Sequence, residues 1–263
     1  EISCAEAINE ALAQCMDEDA NVIIMGLEVD GERGIFGTTV AARKRFPERV
    51  LDMPLSENGI TGFGIGVALV GMRPVMVHAR IDFLMLAMDQ IVNHAAKWRY
   101  MTGDQYAVPI VIRAIIGRGK GQGAQHAQAL HAMFAGVAGL KVVMPVTPFE
   151  TKSLLVAAVR DNDPVLFIEH RSLHSLTGLV PDKIDKSLAL QSGRIMRFSE
   201  DADITIAAFS YMVPESLRAA EMLAVIGLQA EVLNMISVRP LDEILLLNSV
   251  TKTGHLVIAD VGP

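Results

Sequence analysis

LDMPLSENGITGFGIGVALVG, residues 51–71, sets one carboxylate, Glu57, between a short apolar strand and a glycine-studded apolar helix. Val50 and Leu51 end a strand-like run, Pro54 fixes a turn, and Ser56 stands where the N-cap of a helix starting near Glu57 belongs. A carboxylate at a helix start is ordinarily a partner of the helix dipole, worth roughly 0.3–1 kcal/mol. Capping alone therefore accounts for Glu57. The helix itself points elsewhere: no charge occurs between Ile60 and Val70, and Gly59, Gly62, Gly64, Gly66 and Gly71 interrupt the run. Inside a helix each glycine costs up to ~1 kcal/mol relative to Ala. Such a sequence suits a buried helix in close contact with a partner surface, with Glu57 drawn into the same dry contact. A buried carboxylate of that kind is protonated or paired, and it is placed to exchange a proton with a bound heterocycle. On these residues alone, cap and buried acid both stay open.

Outward from this stretch, strand and helix patterns alternate. Residues 5–16 carry apolar side chains at helical spacing and 21–25 read as a buried strand. Residues 26–39 form a glycine-rich loop holding the acids Glu28 and Asp30. Strands are expected at 75–79, 109–116, 141–144 and 165–169, the last closing the sheet. Helices are expected at 84–100, 128–135 and 148–160, with Thr147 as the cap of the third. Asp89, Gln90, Asn93, His94 and Lys97 share a polar face of the 84–100 helix, and Trp98 and Tyr100 end it as core or interface anchors. The pattern then breaks into polar, proline-containing sequence. We expect a first domain over residues 1–175, a linker over 176–191 and a second domain over 192–263. In the second, strands at 203–209, 231–236 and 255–259 alternate with helices at 213–225 and 241–250. The fold class is α/β, a mostly parallel sheet flanked by helices plus a second α/β domain that reads as incomplete with about three strands.

Composition excludes several classes. The 263 residues are 51% hydrophobic, enough for a full core, and the net charge of −7 without a basic cluster argues against nucleic acid. Cys4 and Cys15 are the only cysteines and share one helical pattern, which fits a reducing compartment rather than a disulfide or metal site. No signal peptide is read before Glu1, and no charge-free run is apolar enough over the about 20 residues that span a bilayer, so no membrane role is expected. With no initiator Met and an end just past a strand, both termini are expected to be trimmed.

Chemistry is scarcer. Gly117 to His126, GRGKGQGAQH, is glycine-rich but matches neither the P-loop nor the dinucleotide pattern. Position matters more. His126, like Glu57, follows a strand of the presumed sheet, and open α/β sheets bind ligands beyond the carboxyl ends of their strands. No GxSxG, HExxH or CxxC pattern is present. What remains is a glutamate and a histidine.

The succession Asp52-Met-Pro54-Leu-Ser56-Glu57-Asn-Gly59, Gly71-Met-Arg73-Pro74, Asp82-Phe83, Asp89-Gln90-Ile-Val-Asn93, Gln125-His126-Ala-Gln128, Gly139-Leu-Lys-Val-Val and Arg160-Asp161-Asn162-Asp163-Pro164 resembles the beta subunit of the thiamine-diphosphate-dependent 2-oxo acid dehydrogenases. The resemblance runs in register from about Ala5 to Pro263. It implies a pyrimidine-binding first domain, a transketolase-type C-terminal domain, and thiamine diphosphate as cofactor. Glu57 matches the family's glutamate that bonds an aminopyrimidine nitrogen, Phe83 the aromatic on the pyrimidine face, and His126 the histidine near the reacting carbon. Glu28 and Leu55 match further cofactor-binding positions. Some members hold K⁺ on main-chain oxygens, here those of Ile110, Ala158, Val159, Asp161 and Asp163.

The resemblance also implies what this chain lacks. The family class binds diphosphate and Mg²⁺ through a GDG motif, and only Gly103-Asp104-Gln105 occurs here. An alpha subunit is therefore expected to supply that half, in an assembly of two alpha and two beta chains that serves a lipoyl acyltransferase core. The activity implied is oxidative decarboxylation of a 2-oxo acid with acyl transfer to a lipoyl group, in the cytoplasm of a bacterium or the matrix of a mitochondrion. Two other readings are kept: a split transketolase-like or acyloin-forming subunit, and a non-catalytic partner-binding subunit. His78, Arg80 and Ile81 depart from the family pattern beside the expected substrate channel, as do Arg118, Lys120 and His131, the last expected on a helix surface.

Overall fold

Parallel strands covered on both faces need near-continuous apolar runs, and this chain supplies them. In the computed structural model, which describes residues 1–117 and 121–262, Val22–Gly26, Arg73–His78, Val111–Ile116 and Val165–His170 are buried over almost every residue. Arg118 and Lys120 lie outside the described residues. The seven-stranded sheet runs Ser237–Arg239, Lys141–Val143, Val165–His170, Val111–Ile116, Arg73–His78, Val22–Gly26, Val50–Asp52. All neighbours are parallel except Ser237–Arg239, which is antiparallel to Lys141–Val143. The strand expected to close the sheet is thus interior. Its six buried residues need a neighbour on each side, and the edge falls instead to a three-residue strand from the second domain.

Two apolar layers sandwich this sheet. Ile8, Leu12 and Met16 of helix Cys4–Glu18 and Leu154 and Leu155 of helix Pro148–Arg160 pack on one face, over Val75, Val111 and Phe167. Ile60, Ile65 and Ala68 of helix Glu57–Leu69, with Ile91, cover Met25, Met76 and Ile112 on the other. Thr147 caps Pro148–Arg160 as expected, in a capping box with Glu150. The expected 84–100 helix is instead a series: Ile81–Leu84, a 3₁₀ turn Met85–Ala87, a π-helical Gln90–Ala95 and Trp98–Met101. Gly62 meets this series. A Cβ there would lie 3.0 Å from Gln90 Oε1, so the glycine admits the Gln90 side chain.

The second sheet runs Leu256–Ala259, Ile204–Ala208, Ala230–Asn234, Arg194–Arg197, with the last strand antiparallel. It has four strands rather than about three, because Arg194–Arg197 adds an edge. Between the domains the chain is tied down. Thr177–Gly178 pairs with Ile2–Ser3, Ile184 exchanges hydrogen bonds with Gln14 at 2.9 and 3.0 Å, and the buried Lys152 donates to Pro181 O and Asp182 O. Among the described residues, no helix is long and apolar enough to cross a membrane.

Candidate active site

The carboxyl ends of the parallel strands gather Gly26, Asp52, His78 and Ile116 on one side of the sheet. There a cavity of about 300 Å³ opens, lined among others by Glu28, Leu55, Glu57, Phe83 and His126. The five non-cation residues singled out from the sequence are therefore brought together.

Glu57 opens helix Glu57–Leu69 and is 8% exposed. Ser56 does not cap this helix with its side chain, contrary to expectation. Its Oγ turns toward Gly59, where an added Cβ would sit 2.9 Å from it. No described residue gives the Glu57 carboxylate a hydrogen bond or an ion pair, so the buried-acid reading prevails over the cap. Phe83, 36% exposed, presents its ring to the cavity, with the His126 ring edge-on at 5.0 Å between centroids and 77° between planes. Asp82 sets that arrangement: its Oδ1 accepts from Gln128 N at 3.3 Å and Gln128 Nε2 at 2.8 Å, holding the His126 turn against the Phe83 turn. Glu28 takes a left-handed φ of 58°, a strained backbone of the kind that collects at functional sites. Gly26 beside it has φ 154°, and a Cβ there would strike the Val77 backbone.

The floor holds the departures from the family pattern. His78 is 1% exposed, its Nε2 is 3.0 Å from Thr61 Oγ1, and its buried Nδ1 has no partner. Burial pushes its pKa down to about 4, so the ring is neutral at ordinary pH. Arg80 is 7% exposed and donates through Nη2 to Gln122 Oε1, while Nη1 is buried without a partner. Burial draws its guanidinium below the usual range, opposed by Asp82 and reinforced by Arg171. Phe36 and Gln122 also line the cavity and carry no signal in the sequence beyond lying in glycine-rich loops.

His131 is not a helix-surface residue. It is 1% exposed, and its Nε2 meets Asp260 Oδ2 of the second domain at 2.9 Å. The proposed cation oxygens lie away from the cavity, at the opposite end of the strands, where Ile110 precedes Val111–Ile116 and Asp161 follows Pro148–Arg160. Val159 O and Asp161 O already accept from Arg73 Nη1 at 3.0 and 2.9 Å, and Ile110 O accepts from Val165 N at 3.0 Å. Lys141 Nζ pairs with Asp161 at 2.6 Å and with Asp163 at 3.1 Å. A larger cavity of about 840 Å³ lies between the domains beside Arg99, Lys141, Asp163, Arg239 and Glu243. The smaller cavity joins a buried acid, unpartnered among the described residues, to an aromatic face and a histidine. Among the described residues no three His, Cys, Asp or Glu side chains group as a metal site.

Residues 1–175 match the family described as "Transketolase, pyrimidine binding domain" and residues 193–262 the one described as "Transketolase, C-terminal domain". Fold and cavity together define a protein of the transketolase-like, thiamine-diphosphate-dependent class. A solved structure described as "Split gene transketolase, inactive beta4 tetramer" shares the fold, with a TM-score of 0.82 and 24% identity over 99% of this chain and 80% of that one. Sequence relatives are more specific. The chain is 42% identical to "Acetoin:2,6-dichlorophenolindophenol oxidoreductase subunit beta" of Cupriavidus necator, over 98% of this chain and 79% of the relative. It is 42% identical to "Pyruvate dehydrogenase E1 component subunit beta-1, mitochondrial" of Oryza sativa subsp. japonica, over 100% and 71%. It is 40% identical to "2-oxoisovalerate dehydrogenase subunit beta" of Bacillus subtilis, over 98% and 78%. The chain belongs to the family of beta subunits of the thiamine-diphosphate-dependent 2-oxo acid dehydrogenases.

Proposed function

We propose that this chain supplies the pyrimidine half of a thiamine-diphosphate site for oxidative decarboxylation of a 2-oxo acid and acyl transfer to a lipoyl group. The observation that carries the reading is the Glu57 carboxylate, buried and without a partner among the described residues, on the wall of a cavity that also shows the Phe83 ring. These residues fit an aminopyrimidine. A ring nitrogen supplies the partner that the carboxylate lacks, and a flat apolar face takes the ring plane. Thiamine diphosphate, when bound, supplies the carbon nucleophile and the electron sink for loss of CO₂.

The chain's own residues then have distinct tasks. Glu57 holds or accepts a proton at the ring nitrogen, in a site where a charge is weakly screened. Phe83 and the exposed Leu55 form the apolar wall, and Glu28 offers a second carboxylate at the cavity mouth. His126, fixed on Phe83, moves a proton to or from the reacting centre. The diphosphate and its Mg²⁺ are assigned to an alpha subunit, because this sequence carries no GDG motif. The outer side of helix Glu57–Leu69, with Phe63 56% and Val70 81% exposed, supports an interface there in a two-alpha, two-beta assembly that feeds a lipoyl acyltransferase core. K⁺ on the oxygens of Ile110, Ala158, Val159, Asp161 and Asp163 would share the Val159 and Asp161 carbonyls with Arg73, each carbonyl having a second lone pair. Exchange of K⁺ for choline tests that site by the unfolding temperature.

The test of the main reading is Glu57→Gln, assayed with the alpha subunit, saturating cofactor and a panel of 2-oxo acids. Turnover is expected to fall by roughly 10²–10⁴-fold with assembly intact. Full turnover in that variant would remove the mechanism.

A further inference from the structure

A guanidinium taken out of water costs several kcal/mol unless an anion compensates it. Arg80 is 7% exposed, yet no carboxylate among the described residues pairs with it. Among the described residues its single hydrogen-bond acceptor is the neutral Gln122 Oε1, and Nη1 is buried without a partner. The nearest acid in sequence, Asp82, directs Oδ1 to Gln128 instead. Asp82 acts on Arg80 only through space, without an ion pair, and its Oδ2 is buried with no partner among the described residues. The Arg171 guanidinium lies 4.4 Å from the Phe36 ring centroid on which Arg80 also lies at 6.0 Å, and it too forms no ion pair with a described carboxylate. His78 beside them offers an unpartnered Nδ1 and no carboxylate. Arg80, Phe36 and His78 all line the cavity that holds Glu57 and His126.

We infer that Arg80, with the neutral His78 ring lining the same cavity, forms an anion subsite, and that the substrate is a 2-oxo acid bearing a second carboxylate. The inference rests on the function proposed above and narrows its substrate class. The reacting carboxylate is a poor candidate for Arg80. It departs as CO₂, its bonding electron pair stays behind on the former carbonyl carbon, and its negative charge is gone at the end of the step. A guanidinium fixed on it stabilises the ground state more than the transition state and slows the reaction. A second carboxylate keeps its charge throughout, so binding it to Arg80 carries no such penalty. The geometry of a planar fork suits a carboxylate, and a cavity of about 300 Å³ favours that small anion over a bulkier one. The neutral acetoin in the name of one relative offers Arg80 hydrogen-bond acceptors but no compensating charge.

The experiment uses the full chain assembled with its alpha subunit and thiamine diphosphate, and compares 2-oxoglutarate with 2-oxovalerate, which has the same carbon chain and one carboxylate fewer. The ratio of kcat/KM is expected to favour 2-oxoglutarate by roughly tenfold to a hundredfold, the range of one hydrogen bond between charged groups. Arg80→Leu should bring that ratio close to one, and Arg80→Lys should retain part of it. Calorimetric binding of glutarate against valerate gives the same comparison without turnover. Glutarate is expected to bind more tightly, and Arg80→Leu to abolish the difference. Equal binding of the two acids, or a ratio that Arg80→Leu and Arg80→Lys both leave unchanged, overturns the inference while leaving the proposed function in place. Release of the alpha subunit by both variants with selectivity retained also overturns it, because Arg80 would then be paired across the interface. Arg80-dependent glutarate binding with no turnover of any 2-oxo acid would instead refute the proposed function and keep the anion subsite.

Discussion

Glu57 and Glu169 are both buried carboxylates at the carboxyl side of the same sheet, and they are provided for in opposite ways. Glu169 Oε1 accepts from Arg113 Nε at 2.6 Å, and Oε2 accepts from Arg113 Nη2 and lies 3.1 Å from His174 Nε2. Burial pulls the Glu169 carboxyl upward, but the Arg113 charge and the His174 and Arg113 hydrogen bonds outweigh it and bring the pKa down to about 2. Glu150 is treated like Glu169: it receives Val146 N, Thr147 N, Arg194 and Asn234. Glu57 receives none of these. Burial with partners is architecture, and burial without them is a place kept for something else.

Four measurements bear on this contrast. The largest effect is kinetic. Glu57→Gln should cost two to four orders of magnitude in turnover, yet the thermal unfolding midpoint of the chain should hold or rise, since the side chain has no hydrogen bond to lose among the described residues. A clear fall in that midpoint would show that Glu57 is structural after all. Glu169→Gln should do the reverse, losing about 3–5 kcal/mol in denaturant unfolding because Arg113 is left buried and unpaired. The Glu169 pKa is depressed from an ordinary 4.5 to about 2, so its stabilisation is present above pH 4.5 and lost as pH falls toward 2. Acid titration of wild type should show that loss, and Glu169→Gln should flatten it. His126→Ala comes third, with an expected loss in turnover of roughly ten- to hundredfold and no change in assembly by sedimentation. The smallest effect belongs to Asp260→Asn. The Asp260 carboxyl is partly exposed, so its pair with His131 should be worth about 1 kcal/mol or less. Burial raises the Asp260 pKa, but the His131 contact and two backbone N–H groups lower it further, so this contribution is present above the ordinary carboxylate range and fades on acidification.

The sequence displayed the parts of this picture that depend on local period and missed those that depend on distant contact. Strand and helix alternation, the start of helix Glu57–Leu69 and the capping box at Thr147 follow from neighbouring residues. Glu57 and His126 were paired by their positions after strands of one sheet, whereas Phe83 joined them only through the motif resemblance, because nothing in the spacing shows that Asp82 and Gln128 lock two turns together. The Ser56 cap failed because its backbone, at φ −158° and ψ 80°, does not bring the hydroxyl into a bond with a free N–H of the first turn. His131 read as a surface residue because its partner, Asp260, lies in the other domain. Strand Arg194–Arg197, Arg-Ile-Met-Arg, shows no alternation and covers too few positions to stand out, and Ser237–Arg239 is shorter still. The anion subsite was visible only as a departure. Arg80 and His78 looked unusual in the sequence, and the fold shows that both line one cavity, each with one buried nitrogen that has no partner among the described residues.

The three residues Ser237–Arg239 carry a consequence out of proportion to their length. Without them, Lys141–Val143 would be a sheet edge with bare N–H and C=O groups on an apolar core, an invitation to pair with another copy. The second domain therefore acts as a stopper for the first. A chain cut before Ser237 would be a sticky fragment rather than a smaller folded unit, and the two domains must be made and kept as one piece.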